Sequence, residues 1–391
     1  MKRILSIVLA ITALAACTPK EPGYAIKGQA DDLNGQAVLA YQLPDGTNFA
    51  DTVAMKAGAF TFKGSVPEAL SATLTLLPEG GEPGRAGFYV ENVPITVNVN
   101  TDAVVDYAQY GGLSYSDVKV EGGVDNAFTS DMDAAVKAVG ERPEFQEIAA
   151  AERALRNMGY ADMAAYQAAS QAFSQKFADI SGDYSKARME AIKACIAAHP
   201  ESGAALYMYD VYNSDATVEE FEEGFNQFSD AAKNSFLAKD AREELAARKA
   251  TAPGAVAPDF TLNDPEGNPV TLSSLRGQYV IVDFWASWCK PCRAGVPAMK
   301  ELYKKYHPKG LEIIGVSDDT SHDAWKKAIE QDQTPWIHVC DEFPIENKPA
   351  RVGSAWGVHY IPSYFLLAKE GKIIGKMDHE ELEAKLAELL D

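Results

Sequence analysis

Two cysteines two residues apart, at the end of an apolar run and the start of a helix-forming one, constrain this chain more than any other feature. The stretch reads Val282-Asp283-Phe284-Trp285-Ala286-Ser287-Trp288-Cys289-Lys290-Pro291-Cys292. Tyr279 to Trp285 is apolar, β-branched or aromatic except at Asp283, the pattern of a strand buried on both faces. A strand that turns straight into a helix puts the first thiol at the helix N-terminus, where unsatisfied N–H groups and the helix dipole favour an anion. Such a setting lowers a thiol pKa from ~8.5 toward ~7 or below and yields the thiolate that attacks disulfides. The second thiol, one turn on, can close back on the first. A zinc site calls for four ligands, and the chain has no second Cys-x-x-Cys. A c-type haem calls for His directly after the second cysteine, where Arg293 stands. No metal and no cofactor is therefore expected.

The run Asp-Phe-Trp-Ala-x-Trp-Cys-x-Pro-Cys resembles the thioredoxin active-site signature. The segment from Ala257 to the C-terminus is similar to the TlpA/ResA-like branch of membrane-tethered thiol:disulfide oxidoreductases. The resemblance covers roughly the last third of the chain. It implies Cys289 as nucleophile, Cys292 as resolving thiol and Asp283 as an acid behind Cys292 that helps deprotonate it. A carboxylate in an apolar strand should in any case titrate high, because burial penalises its charged form. Pro362 matches the family's cis-proline, whose loop faces the cysteines and pairs with an extended substrate as an added strand. Ile361, Trp288, Lys290 and Pro291 are then expected to contact substrate, with Lys290 favouring the thiolate by its charge. Trp285, Trp288 and Tyr360 are candidates for an apolar surround, Trp288 being the one expected at the surface.

The N-terminus is Met1-Lys2-Arg3, an apolar run from Ile4 to Ala16, and Cys17. A short basic region and a short apolar region make a secretory signal, too short to span a bilayer as a helix. Leu14-Ala15-Ala16-Cys17 resembles the lipobox of bacterial lipoproteins, which implies cleavage before Cys17 and lipidation of its thiol. A formal net charge of −20 argues against nucleic-acid binding and against a polybasic grip on anionic lipid. Five cysteines in 391 residues are too few for a disulfide-dense exported scaffold. Once Cys17, Cys289 and Cys292 are accounted for, Cys195 and Cys340 remain, either as buried free thiols or as one bridge.

Length alone allows two or three domains. The expected order is a signal peptide at 1–16, a lipid-anchored tether at 17–23, a β-sandwich-like module at 24–122, a helical segment at 123–250 and a thioredoxin-like α/β domain at 251–391. Short strands with turn signals, such as Lys56-Ala57-Gly58 and Glu79-Gly80-Gly81-Glu82-Pro83-Gly84, point to a small antiparallel sandwich or barrel. From Val124 the composition shifts to Ala, Glu, Lys, Gln, Met and Phe, with helices expected over Tyr160–Ile180, Tyr184–Ala198 and Phe236–Ala250. Thr217 and Glu220 fit a capping box, and Ser273 is a candidate cap before Gly277.

The reading that follows is a lipid-anchored thiol:disulfide oxidoreductase of the cell envelope, facing the periplasm. It would reduce disulfides of exported proteins and be recharged by a DsbD-type membrane donor, as relatives in cytochrome c biogenesis are. Two rivals stand beside it. Ala257-Pro258-Asp259-Phe260 also opens peroxiredoxins, but these need Thr or Ser three residues before the reactive cysteine, where Ala286 stands. A non-enzymatic lipoprotein that binds a partner through its β and helical modules is the other. Replacing Cys17 by Ser should move the protein from the membrane fraction to the soluble fraction of a cell-envelope preparation; retention with the membrane would remove the anchor from the account.

Overall fold

The computed structural model describes residues 23–107, 112–158, 162–343 and 350–391. The leader at 1–16, Cys17 and the tether to residue 22 lie outside the described residues, as does Tyr160. The chain divides into two compact units, Met1–Leu206 with Asp230–Leu237, and Tyr207–Ser229 with Ala238–Asp391.

The described residues of the first unit form ten strands: β1 (Tyr24–Ala30), β2 (Gly35–Gln42), β3 (Asn48–Met55), β4 (Ala59–Gly64), β5 (Leu70–Pro78), β6 (Gly84–Val90), β7 (Pro94–Val99), β8 (Val104–Tyr107), β9 (Gly112–Tyr115) and β10 (Val118–Glu121). They form two sheets, ordered β10-β7-β1-β4 and β3-β2-β5-β6-β9-β8. Alternate residues of β1, β2, β5 and β7 turn inward, among them Ile26, Leu39, Leu74 and Val97, and close one apolar core shared by both sheets. The sandwich is mixed, against the expectation of an antiparallel one: β1 pairs parallel with β7, and β6 with β9. The reason is connectivity. The chain between β1 and β7 passes through the other sheet before it returns, and such a crossover lets partners run the same way. Gly84, expected in a turn, opens β6; a Cβ there would strike the Tyr115 ring.

Helices follow: α1 (Val124–Gly140), α2 (Gln146–Asn157), α3 (Met163–Lys176) and α4 (Ser181–Ala198). The first turn of α1 has no cap of its own, and Glu91 at the end of β6 accepts from the backbone N–H of Val124 and Asp125, both at 3.1 Å. Buried Asp125 accepts from Ser202 Oγ at 2.6 Å and from the Ala204 N–H at 2.9 Å. Next come α5 (Gly203–Tyr212), α6 (Val218–Phe225), α7 (Asp230–Asn234) and α8 (Lys239–Ala250). The expected capping box of Thr217 and Glu220 opens α6. The helical stretch 123–250, read from composition as a single segment, is apportioned between the two units: α1 to α4 and α7 fall in the first, α6 and α8 in the second. Composition reports helicity, whereas the grouping follows from which apolar faces meet.

The second unit holds a seven-stranded sheet, β11 (Thr261–Asn263), β12 (Pro269–Thr271), β13 (Tyr279–Trp285), β14 (Leu311–Ser317), β15 (Ile337–Cys340), β16 (Ser363–Leu367) and β17 (Ile373–Met377), ordered β12-β11-β15-β14-β13-β16-β17. The strands β13, β14 and β15 are mutually parallel, while β16 and β17 run antiparallel. Besides α6 and α8, the described residues of this unit form α9 (Lys290–Tyr306), α10 (His322–Asp332), α11 (Arg351–Ala355) and α12 (His379–Leu390). Side chains alternate along β13. Ile281 joins Met299, Leu302 and Tyr306 of α9 and Leu382 and Leu386 of α12. Val280, Val282 and Phe284 join Val352, Trp356 and Phe365 on the opposite face. Ser273 does not cap the short 3-10 turn Leu272–Leu275 as expected: it lies inside the turn, and its N–H donates to Asp259 Oδ1 at 2.9 Å. Among the described residues no helix is long and apolar enough to cross a membrane.

Trp356 is 1% exposed and meets Phe260, Phe284 and Phe365 at ring-centroid distances of 5.1–6.3 Å. Trp356→Ala should therefore cost about 3–5 kcal/mol of unfolding free energy for the second unit. Denaturant unfolding followed by circular dichroism checks this, and a loss under about 1 kcal/mol would contradict this packing.

Candidate active site

The site sits where β13 ends and α9 begins. After Trp285 the chain makes a tight turn through Ala286-Ser287-Trp288, and Cys289 stands at the N-cap of α9. Its Sγ accepts from the backbone N–H of Cys292 at 3.2 Å, the place a capping oxygen usually takes. Pro291 in the first turn suits a helix start, since its missing N–H would have had no partner there. Cys289 and Cys292 form a disulfide, and both are buried.

The turn is held by a residue that the sequence reading missed. Asp319, 2% exposed, accepts from the Ser287 N–H at 2.7 Å, from Ser287 Oγ at 2.5 Å and from Ser317 Oγ at 2.6 Å. A carboxylate just beyond a strand end was visible in the sequence, but its partner lies 32 residues away and no local pattern links them. On the far side Arg293 forks onto Asp332, Nε to Oδ2 at 2.9 Å and a terminal guanidinium nitrogen to Oδ1 at 2.8 Å, tying α9 to the end of α10.

Asp283 lies in the middle of the sheet, paired across β16 with Tyr364. Strand alternation turns it to the face that carries Ile281 and that α9 covers. It is 8% exposed, and its Oδ1 has no hydrogen-bond partner among the described residues. Burial alone pushes its carboxyl up to about 7. Tyr364 is a second residue the sequence reading missed. It is buried in the same cluster, and its hydroxyl would lie 3.5 Å from a Cβ on Gly295, one turn along α9 from Cys292. Burial, and then the neighbouring Asp283, raise its phenol above the ordinary range. Its place two residues after Pro362 in an apolar strand was the available signal.

The opposite wall is the loop before β16. The Ile361–Pro362 peptide is cis, and the Ile361 carbonyl oxygen lies 3.8 Å from Cys289 Sγ. Trp288 and Tyr360 are 62% and 66% exposed. Lys376 lies over the Tyr360 ring at 4.5 Å from its centroid. Trp285, by contrast, is buried against His338 and packs in the same apolar cluster as Cys289 and Cys292, so it lines the disulfide from inside. Lys290 and Pro291 are exposed on the first turn of α9. A cleft of about 590 Å³ opens between Trp288 and the Tyr360–Ile361 loop, with Phe284, Phe343 and Val358 in its lining. Cys195 and Cys340 are buried and free, so of the two alternatives the structure takes free thiols. Burial pushes the Cys340 thiol up to about 11 and also raises Cys195.

Comparison with known proteins agrees with this geometry. Residues 253–376 match the AhpC/TSA family, and residues 24–128 match a domain of unknown function, DUF4369. The chain is similar to the thiol-disulfide oxidoreductase ResA of Bacillus thuringiensis, with 36% identity over 138 residues, covering 35% of this chain and 76% of that one. It is also similar to the thioredoxin-like protein YneN of Bacillus subtilis, with 32% identity over 137 residues, covering 34% and 78%. Among solved structures, the thioredoxin domain of a thiol-disulfide oxidoreductase from Bacteroides vulgatus is 34% identical and covers 36% of this chain and 99% of that one, with a TM-score of 0.33. The C-terminal region from about residue 253 is thus a thioredoxin-like domain, and the protein is an enzyme of the thiol:disulfide oxidoreductase class. Within that class the chain belongs to the TlpA/ResA-like family, preceded by a β-rich region and a helical middle segment.

Because the folded pKa of Asp283 lies above the unfolded carboxylate value of ~3.9, the folded oxidised protein keeps a proton that the unfolded chain has lost. Stability should fall as pH rises from about 4 and level off above about 7. Asp283→Asn should flatten that fall by up to roughly 4 kcal/mol, about three pKa units. Denaturation of the oxidised protein at several pH values reads it; an identical slope in the variant would mean that Asp283 titrates normally.

Proposed function

We propose that the protein is a dithiol reductase of exported proteins, anchored to the cell envelope by lipid on Cys17 and working on the periplasmic side. The observation that carries the reductase reading is the Cys289–Cys292 pair at the mouth of α9, set 3.8 Å from the Ile361 backbone. In the reduced protein the Cys289 thiolate attacks one sulfur of a substrate disulfide. A mixed disulfide forms, and the first substrate sulfur leaves as a thiolate that takes a proton from solvent. Cys292 then gives its proton to the Asp283 carboxylate and attacks Cys289 Sγ. The second substrate sulfur leaves as a thiolate that also takes a proton from solvent, and the enzyme is left with the Cys289–Cys292 disulfide and a protonated Asp283. The substrate has gained two electrons and two protons, and the enzyme has lost two electrons. A base with a pKa near the working pH suits that transfer, because it is ionised in good part yet readily protonated.

Pro362 and Ile361 offer backbone to an extended substrate, and Trp288, Lys290 and Pro291 face it from the α9 side. Proline before the second cysteine and isoleucine before the cis-proline favour the reducing direction by family resemblance. A membrane dithiol donor of the DsbD type returns the two electrons, and apocytochrome c is among the exported thiol proteins that such a reductase serves. The peroxidase alternative lacks its hydroxyl: Ala286, three residues before Cys289, is fully buried in an apolar cluster.

The reduced full-length protein should reduce insulin in a turbidity assay, and Cys289→Ser should abolish this. Cys292→Ser should trap a mixed disulfide that sodium dodecyl sulfate gels resolve. Asp283→Asn should slow resolution by about tenfold or more while leaving the first attack within about twofold. Equal slowing of both steps would remove Asp283 from the proton path, and a reduction potential as high as ~−120 mV would reverse the direction.

A further inference from the structure

The loop that faces the disulfide is fastened from behind by a helix that lies outside the matched redox region. The family match begins at residue 253, whereas α8 ends at Ala250. Both α8 and the loop belong to the second unit. Glu244 of α8 is 7% exposed, unusual for a glutamate unless it is paired. One carboxylate oxygen, Oε1, accepts from Arg248 Nε at 2.5 Å. The other, Oε2, lies 2.7 Å from His359 Nε2, and His359 stands two residues before Ile361.

Arg248 is fixed in turn. It donates to the carbonyl oxygens of Ala216 and Ser214 at 2.5 and 2.8 Å, and its guanidinium lies 4.5 Å from the centre of the Phe221 ring. Burial opposes ionisation of Glu244, but its bonds to His359 and Arg248 outweigh that and hold the carboxyl below its usual range. The bond to Glu244 likewise raises the His359 imidazole. Asp210 and Lys376 also act on that ring, with opposite signs, and Asp210 itself is pushed up to about 6 by burial and by Glu244. A second contact lies close by: a Cβ on Gly357 would sit 3.5 Å from the Ala247 Cβ, so α8 also packs where α11 ends.

We propose that Glu244, held by Arg248, is a positioning residue for substrate: through His359 it fixes the Ile361 backbone opposite Cys289, and so it governs binding of extended polypeptide disulfides. The inference rests on the reductase reading above. A small disulfide needs only the sulfur of Cys289, whereas a polypeptide must also pair with the loop, and loop order enters its binding cost. An exposed histidine bonded to a buried carboxylate puts the hydrogen bond where it orders a loop without touching the thiols. The pair is thus expected to act on binding and not on sulfur chemistry.

The test uses the full-length protein, pre-reduced and mixed in single turnovers with insulin or with the small aromatic disulfide 5,5′-dithiobis(2-nitrobenzoate). His359→Ala should raise the half-saturating insulin concentration by about tenfold, the scale of one hydrogen bond to a charged group, with the limiting rate unchanged. Its rate with the small disulfide and its reduction potential should match the parent protein. His359→Gln, which keeps a donor, should recover most of the insulin binding. Glu244→Gln should follow His359→Ala; if it does not fold, as its thermal melt will show, the two histidine variants decide alone. Variants equal to the parent on insulin, or equally impaired on both substrates, overturn the brace while leaving the reductase reading intact. A reduced parent protein that leaves insulin disulfides whole overturns that reading, and this inference with it.

Discussion

At the start of α9 several backbone N–H groups have no partner within the helix, and the sulfur of Cys289 takes the position where a capping oxygen would stand. That is the constraint on which the rest of the redox unit depends. A sulfur in this position gains as an anion, because the peptide N–H groups and the helix dipole point at it. To hold it there, the chain must leave a central strand and enter a helix within four residues. The turn that does so needs the buried Asp319 carboxylate to take up the Ser287 N–H and hydroxyl. The apolar strands β13, β14 and β16 exist, in this sense, to fix a turn.

The same burial that makes the sheet rigid gives Asp283 its chemistry. A carboxylate in water near pH 7 is a weak base, too far from neutrality to take a thiol proton well. Enclosed between β14, β16 and the helix above, it loses hydration that the described side chains do not replace, and its pKa rises to about 7. Folding stability and proton transfer are therefore opposed at this position. The apolar packing around Ile281, Met299, Leu302 and Leu382 offsets the cost of keeping the acid there.

The β-rich region and the helices α1 to α4 fall in one unit, and within it residues 24–128, the β-rich part, match a domain of unknown function. Helices α6 and α8 group instead with the redox sheet. The part of the chain lying outside the family match is therefore not uniform. Some of it is a separate body, and some of it reaches the loop that faces the disulfide through Glu244 and His359.

Much of this was legible in the chain itself. The continuous apolar run Tyr279–Trp285 marked β13. The Cys-x-x-Cys motif after β13 identified the nucleophile position, and Thr217 with Glu220 announced the start of α6. These are local patterns, in which the physics acts between residues a few positions apart, and a linear sequence displays such patterns directly. Four features were decided only by tertiary structure: the parallel pairing of β1 with β7, the division of the helical stretch between two units, the Asp319 support of the active-site turn, and the Glu244–His359 bond. The β1–β7 pairing, the Asp319 contact with Ser287 and the Glu244–His359 bond each join residues that lie 32 or more positions apart, which a linear pattern does not display.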